Sequence, residues 1–209
     1  MKATAPKRAR AKRGEGEKLR AQILEAANEL LIETGDQEAV SIRAVADRVG
    51  VTPPSIYMHF ADKNDLIFAV CEGHFNALDE AVQEAAAGID DPLLSLHRRG
   101  RAYIQFGLDN PEQYRILFMS KPAAAPHGFQ EERLKGSASF DHLVEAVQQV
   151  IDAGVFEGEA TQISICLWVA VHGITSLLLS HPNFPWPDID ATIDSVLQMA
   201  LRGLVSKPA

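Results

Sequence analysis

The sequence has few of the residues that cross-link a small fold, with two cysteines in 209 residues. Cys71 and Cys166 both stand among apolar residues and show no metal-ligand spacing, so neither a disulfide framework nor a zinc site is indicated. No uncharged run of eighteen apolar residues occurs, and no apolar segment of seven or more follows the basic N-terminus. We therefore expect a soluble protein in a reducing, cytoplasmic compartment.

Signatures of catalysis are also absent from the sequence. There is no Gly-x-Ser-x-Gly elbow, no phosphate-binding loop and no His-Glu-x-x-His pair. Cys166 and His172 are six residues apart, which places them on different faces of a helix. Cys71 and His74 have helical spacing but supply two ligands where a structural metal site needs four. We expect no enzyme activity, no metal and no cofactor.

Positive charge is concentrated at the N-terminus of an acidic chain whose net charge is −8. Residues 1–63 hold 11 Lys and Arg against 9 Asp and Glu, whereas the remaining residues hold 9 against 19. Six basic residues precede the first acid: Lys2, Lys7, Arg8, Arg10, Lys12 and Arg13. We expect residues 1–17 to be a disordered basic tail, which either binds nucleic acid by counterion release or is simply solvated.

Apolar spacing of three and four predicts helices after the tail. The first begins at Lys18 and ends at Gly35, with one apolar face formed by Leu19, Ile23, Ala26, Ala27, Leu30 and Leu31. Ser41 is a predicted cap for a second, shorter helix, in which Ile42, Val45, Ala46 and Val49 point inward. Gly50 then stands where a left-handed residue ends a helix.

The stretch "GVTPPSIYMHF" places two prolines in a helical chain. Proline is accepted in the first turn of a helix, so these residues predict a third helix from Pro53 to Phe60 with Thr52 as its cap. Asp62 and Asp65 resemble a capping box that opens a fourth helix, ending near Val82. Two short helices joined by a glycine turn indicate a helix-turn-helix, whose second helix enters the major groove of DNA.

The predicted third helix has one inward face and one face for DNA. Ile56 and Phe60 fall together and point inward. We expect Tyr57 and His59 to donate to phosphate oxygens, and Ser55 and Met58 to meet base edges. Arg43 has the reach for a base or a phosphate, and Lys63 is placed for a phosphate. A purely structural role for Tyr57 and His59, in packing and capping, remains the alternative.

The run from "ILEAANELLIETG" through "SIRAVADRVGVTPPSIYMHFADKNDLIFAV" resembles the TetR family of transcriptional regulators. The resemblance implies DNA contacts at Arg43, Thr52, Pro53, Ser55, Tyr57, Met58, His59 and Lys63. Many members carry a small or polar residue at the position of Pro53, so base reading shifts toward Arg43 and Ser55. The resemblance makes residues 18–63 the DNA-binding domain and residues 64–209 an effector-binding and dimerisation domain.

The rest of the chain also reads as helical. Asp91-Pro92 and Asn110-Pro111 each predict a capped helix start. In the first of these helices Gly100 and Gly107 lie on the apolar face, which indicates close packing, a cavity or both. "KPAAAPHG", residues 121–128, predicts a loop that could gate a pocket, and residues 129–153 predict another helix.

Two further helices end the chain. One spans about Glu159 to Ser180 and is apolar nearly all round, and the last carries an apolar stripe that includes Ile193 and Leu197. We expect this pair to form a homodimer across a two-fold axis.

"NPEQYRILFM" and "WVAVHGITSLLLS" resemble segments of the TetR ligand-binding domains, the second resembling the Trp-His-Gly motif that names one subclass. Tyr103 and Phe106 border the predicted cavity, and Trp168 and His172 share one helix face. We name these four as candidate effector contacts; the alternative for Trp168 and His172 is core packing and carbonyl capping.

These observations predict an all-α fold of about nine helices, in which a three-helix DNA-binding domain joins the C-terminal domain through helix four. The predicted function is a ligand-responsive regulator, most simply a repressor on a palindromic operator, with a small hydrophobic or aromatic effector. An architectural DNA-binding protein without effector control is the alternative.

Overall fold

Nine helices make up the computed structural model, which describes residues 15–119 and 138–204; no strand occurs in that part of the chain. Their bounds are α1 Glu15–Thr34, α2 Ile42–Val49, α3 Pro53–Ile56, α4 Lys63–Ala86, α5 Pro92–Asp109, α6 Pro111–Phe118, α7 Ala138–Asp152, α8 Ala160–Ser180 and α9 Ile189–Arg202. The prediction of an all-α fold is confirmed. Residues 121–128, the predicted gating loop, lie outside the described residues, as do residues 1–14 of the basic tail.

The chain divides into two units, which meet at Val70 and Cys71 within α4. In the first unit α2 packs against α1 and α3. The largest side chains of its core are fully or almost fully buried: Ile23, Leu31, Val45, Ile56, Phe60 and Leu66. Well-defined helix ends matter in this core because α2 and α3 are too short to be stable by themselves.

In the second unit α8 is the central helix, and it packs against α5, α7 and α9. One 18-residue window of α8 has a mean hydropathy of 1.9, so by length and composition alone it is long and apolar enough to cross a membrane. Nine of its residues are buried in the described structure. The core helix of a globular domain has the same composition, and the contacts of α8 with three helices account for it.

Several predicted helix ends are confirmed by local geometry. Ser41 Oγ accepts from the Ala44 N–H at 3.1 Å, and Asp91 Oδ1 accepts from Leu93 and Leu94. Gly50 has φ of 77° and Gly35 has φ of 63°, both in the left-handed region. The Asp65 N–H donates to Asp62 Oδ1 at 2.9 Å, as a cap at the start of α4 requires.

Three details of the predicted helices are wrong. The first helix begins at Glu15 rather than Lys18, and its acidic first turn suits the positive end of the helix dipole. α4 continues to Ala86 rather than ending near Val82. The Asn110 side chain does not cap α6, because its Nδ2 donates backwards to the Phe106 carbonyl at 3.0 Å and completes α5.

Candidate nucleic-acid interface and ligand cavity

A tight glycine turn separates α2 from α3. The N–H groups of Gly50 and Val51 both donate to the Ala46 carbonyl, the latter at 2.9 Å. These bonds satisfy the end of α2, and the left-handed backbone of Gly50 turns the chain out of the helix. The direction in which α3 starts is therefore set by backbone hydrogen bonds rather than by side chains.

The third helix is shorter than predicted and lacks the predicted side-chain cap. Regular helix ends at Ile56, and residues 57–59 form a turn in which the His59 N–H donates to the Ile56 carbonyl at 2.9 Å. Thr52 stands at the cap position without capping. Pro54 has no N–H to offer it, and the Ser55 N–H donates to the Thr52 carbonyl at 2.8 Å. The Thr52 hydroxyl instead lies 3.2 Å from Ser55 Oγ.

Large apolar side chains stand exposed on the outer side of this segment. Tyr57 is 55% exposed and Met58 is 79% exposed, whereas Ile56 and Phe60 are buried as predicted. Ile56 and Phe60 anchor the segment, and Tyr57 and Met58 present an adjoining aromatic and thioether surface. His59 is half-buried, and Pro53 and Ser55 are partly exposed beside them.

The basic residues around α2 and α3 differ in their surroundings. Arg43 is exposed. Lys63 Nζ lies 3.4 Å from both the carbonyl oxygen and Oε2 of Glu38. Arg48 ties α2 to α1 by two hydrogen bonds of 2.8 Å to Glu33. The hydrogen bond from Arg48 lowers the pKa of Glu33. Arg48 is thus a structural clamp, whereas Arg43 faces solvent.

A cavity lies within the second unit. Residues of α4, α5, α6, α7, α8 and α9 line it, and the space not filled by atoms is about 900 Å³ when the part open to solvent is included. Its walls are mostly apolar and aromatic: Phe75, Leu78, Phe118, Phe140, Leu143 and Trp168. This apolar and aromatic lining is typical of sites for small organic molecules.

Two of the four predicted effector residues line this cavity and two do not. Tyr103 and Trp168 belong to the lining, whereas Phe106 and His172 do not. Phe106 lies one turn further along α5, and its carbonyl accepts from the Asn110 N–H. His172 lies behind the lining, where its ring stacks on Tyr114 at 5.8 Å between centroids.

A chain of hydrogen bonds runs from the cavity wall to His172. Trp168 Nε1 donates to Tyr103 Oη at 3.2 Å, and Tyr103 Oη lies 3.1 Å from Tyr114 Oη. Tyr114 Oη lies 2.7 Å from His172 Nδ1, and His172 Nε2 lies 3.2 Å from Ser176 Oγ.

The indole N–H can only donate, so Tyr103 Oη accepts from it. Each phenol oxygen can both donate and accept, so either tyrosine can be the donor between Tyr103 and Tyr114, and the tautomer of His172 sets the direction of its bonds to Tyr114 and Ser176. Burial raises the pKa of both tyrosines and lowers the pKa of His172, so every member is neutral at pH 7.

A polar corner of the cavity was not predicted from the sequence. Arg99 and Gln83 are part of the lining, and Arg99 Nη1 donates to Gln83 Oε1 at 2.7 Å. His142 also lines the cavity, and its Nδ1 lies 2.9 Å from Asp79 Oδ2. Helical spacing could have indicated that Arg99 faces the cavity, because it is three residues after Leu96 and four before Tyr103 on the apolar stripe of α5.

The two glycines on the apolar face of α5 serve close packing. A Cβ atom added at Gly107 would lie 2.5 Å from Thr175 Cγ2 and 3.0 Å from Tyr114 Cδ2. One added at Gly100, which lines the cavity, would lie 2.8 Å from Leu197 Cδ2 and 3.5 Å from Val171 Cγ1. A side chain at position 107 would therefore press against α6 and α8, and a side chain at position 100 would press against residues of the cavity wall.

An apolar stripe remains exposed on α8 and α9. Val169 is 63% exposed and Met199 is 70% exposed, and Ile165 and Leu177 lie on the same exposed side of α8 as Val169. Exposed apolar residues at a helical repeat are typical of a protein interface. Within residues 15–119 and 138–204, no group of three or more His, Cys, Asp and Glu is arranged to hold a metal ion.

Comparison with known families matches both units. Residues 23–70 match the family model described as bacterial regulatory proteins, tetR family. Residues 96–202, half of the chain, match the model described as tetracyclin repressor-like, C-terminal domain. The chain belongs to the TetR family. Its members are transcription regulators that bind DNA, and the helix-turn-helix formed by α2 and α3 is the DNA-binding element of the family.

Individual relatives of this TetR-family chain cover most of its length. The HTH-type transcriptional activator FasR of Mycolicibacterium smegmatis is 26% identical over 189 residues, which is 90% of this chain and 84% of FasR. A solved structure from Rhodococcus sp. RHA1, of unknown function, is 26% identical, covers 90% of this chain and 96% of its own, and superposes with a TM-score of 0.75.

A third relative is a named repressor. NalD, the secondary repressor of the MexAB-OprM multidrug efflux pump in Pseudomonas aeruginosa, is 25% identical with a TM-score of 0.67. The match covers 92% of this chain and all of NalD. The named relatives thus include a transcriptional activator and a repressor.

Proposed function

We propose that this chain is a homodimeric, ligand-controlled repressor that occupies a palindromic operator through α2 and α3. The main observation in support of this proposal is that Tyr57 and Met58 are exposed on a segment whose direction is set by the turn at Gly50. Rigid placement of exposed donors and apolar groups is what reading a DNA groove requires. In this proposal residues 18–63 form the DNA-binding domain, and the six basic residues that precede Glu15 add phosphate contacts.

The proposed DNA contacts have distinct tasks. Tyr57 and His59 donate to phosphate oxygens, Ser55 and Met58 meet base edges, and Thr52 and Pro53 pack beside the backbone. Arg43 reaches a base or a phosphate from α2. Lys63 exchanges the Glu38 carboxylate, 3.4 Å away, for a phosphate oxygen. Glu38 is exposed, so the ion pair that Lys63 gives up is weak.

We propose that α8 and α9 form the dimer interface. Covering Ile165, Val169, Leu177 and Met199 with a second copy removes the exposed apolar stripe from water. The two-fold axis of such a dimer matches the symmetry of a palindromic operator. The protein acts in the cytoplasm, where DNA is accessible to it.

The effector domain, residues 64–209, controls DNA binding through the cavity. Phe75, Leu78, Val82 and Gln83 line the cavity from α4, which begins at Lys63. A ligand that fits the cavity only when α4 shifts will favour the arrangement that does not bind DNA. A coupling free energy of about 1–3 kcal/mol is the usual size of such an effect. The narrower assignment to the Trp-His-Gly subclass rests on Trp168, His172 and Gly173.

The test begins with selection of a bound sequence from random duplex DNA by the full chain. Fluorescence anisotropy then compares wild type with Arg43→Ala, Tyr57→Ala and Lys63→Ala, with Arg98→Ala as the control because Arg98 is exposed on α5. Each of the first three should weaken operator binding by roughly tenfold, while Arg98→Ala should not. Unchanged affinity in all three variants would refute these contacts.

Salt dependence and a scrambled duplex separate the alternatives. Lys63→Ala should make the slope of log affinity against log salt concentration shallower by about 1, because one phosphate contact is lost. Equal, salt-sensitive binding to operator and scrambled DNA would favour the architectural role instead.

Activation is the second candidate, and the named activator FasR favours it. Transcription in vitro from a promoter that carries the selected site distinguishes the two. Less transcript on addition of the protein supports repression, and more transcript supports activation.

A further inference from the structure

The cavity in the second unit is apolar except at one corner, where a cation lacks a matching anion. Arg99 lines the cavity, and its Nε–H is buried without a hydrogen-bond acceptor among the described residues. The partner of its Nη1 is the neutral amide oxygen of Gln83. No carboxylate in the described part of the chain lies within ion-pair distance of Arg99. A buried donor on a charged group that makes no hydrogen bond is destabilising.

Asp79, the acid whose charge acts on Arg99, is already engaged by other groups. Both oxygens of Asp79 lie within 3.0 Å of His142 Nδ1, and Gln83 Nε2 donates to Asp79 Oδ1 at 3.5 Å. Burial lowers the pKa of Arg99, and the charge of Asp79 opposes this shift only in part. The guanidinium thus stands at an apolar cavity with one positive charge and with unused hydrogen-bonding capacity.

A carboxylate supplies what this corner lacks. Its two oxygens match the planar fork of a guanidinium, and the hydrogen bonds are charge-assisted. A neutral ligand would displace water from the cation and offer it no charge in return. A dianion such as a phosphate monoester would bring a second negative charge close to Asp79.

We propose that the effector is an amphipathic monocarboxylate, whose carboxylate binds Arg99 and whose hydrocarbon part lies between Phe75, Phe118, Phe140 and Trp168. This proposal rests on the proposed function, since it names the ligand class of the same cavity. The apolar walls stabilise the hydrocarbon part by removing it from water. Arg99 is the residue that selects the headgroup.

Calorimetric titration of the full chain with decanoate and with decan-1-ol tests the headgroup. Both probes have ten carbon atoms in an unbranched chain, so a large difference in affinity reports the headgroup. Wild type should bind decanoate roughly tenfold or more tightly than decan-1-ol. Arg99→Met should lose that preference by weakening decanoate binding alone, because methionine retains an unbranched apolar stem. Arg98→Met, one residue away and exposed, is the matched control and should behave as wild type.

Thermal melting of each variant confirms that it is folded before titration. Arg99→Lys provides a second variant: it keeps the charge but loses the planar fork, and should retain part of the preference. Equal binding of the two probes by wild type, or an unchanged preference in Arg99→Met, would overturn the proposal. Tighter binding of decyl phosphate than of decanoate would overturn the choice of carboxylate.

Anisotropy on the selected operator separates this proposal from the proposed function. If decan-1-ol releases the operator as effectively as decanoate, the headgroup assignment is wrong and the ligand-controlled regulator stands. If no operator is bound, the regulator is wrong whatever the titrations show. Release by decanoate, and its loss in Arg99→Met, supports both.

Discussion

Replacing Gly107 with alanine tests the tight packing of α5 against its neighbours. The new methyl group would lie 2.5 Å from Thr175 Cγ2 and 3.0 Å from Tyr114 Cδ2. Neither neighbour gives way easily. Thr175 is fully buried and its Oγ1 donates to the Val171 carbonyl at 2.7 Å, while Tyr114 is fully buried and bonded to His172.

Gly73→Ala is the matched control, because Gly73 is also helical but exposed, with no atom within 4 Å of an added Cβ. Both substitutions gain about 1 kcal/mol of helix propensity. Only Gly107→Ala overpacks the core, which lowers the free energy of unfolding by about 1–3 kcal/mol. The free energies of unfolding of the two variants should therefore differ by about 1–3 kcal/mol, with Gly73→Ala the more stable.

Urea denaturation followed by circular dichroism measures both variants, at one protein concentration because dimerisation affects apparent stability. Adding Thr175→Ser to Gly107→Ala removes the Thr175 methyl group, with which the new alanine would clash, and keeps the Thr175 hydroxyl. The double variant should recover stability, with a coupling of about 0.5–3 kcal/mol. Equal stabilisation by Gly73→Ala and Gly107→Ala would refute the packing argument.

Two other substitutions probe the start of α2 and the buried histidines. Ser41→Ala removes the acceptor for the Ala44 N–H and should lower the free energy of unfolding by about 1 kcal/mol, measured by the same urea titration. Burial lowers the pKa of His74 and His172, so the unfolded chain takes up protons first as the pH falls below about 6.5. Stability should be full above that pH and fall by up to about 1.4 kcal/mol per pH unit for each histidine until its folded pKa is passed. His172→Gln should make this decline shallower between pH 7 and 5.5; an unchanged slope would show that His172 keeps its ordinary pKa.

The ends of most helices could be predicted from the sequence because caps are local. Ser41, Gly50 and Asp91 act on backbone groups two to four residues away, so residue type and spacing carry the information. Thr52 and Asn110 stand at cap positions too, yet neither side chain caps. In each case a competing local bond decides: the Thr52 carbonyl takes the Ser55 N–H, and the Asn110 amide turns back to Phe106.

The ligand cavity could be predicted only in part because its lining comes from six helices. Tyr103 and Trp168 follow from the apolar stripes of their own helices. Phe106 and His172 lie close to those residues in sequence but outside the lining. Only part of each helix face borders the cavity, and the sequence does not show which part. By residue type Arg99 reads as a surface residue in "HRRGR", although its spacing from Leu96 and Tyr103 places it on the apolar stripe of α5. Its hydrogen bond to Gln83 of α4 then shows it as part of the cavity wall.

Gly100 makes the width of the cavity adjustable by single mutations. A methyl group there would project toward Leu197 Cδ2, the far end of a flexible side chain that itself lines the cavity. Every glycine codon is one base change away from alanine and valine codons, so a lineage can narrow its range of ligands in one step. Gly107, two turns away, permits no such change without disturbing Thr175 and Tyr114. Along α5, selection on the ligand and selection on the fold therefore act on different glycines.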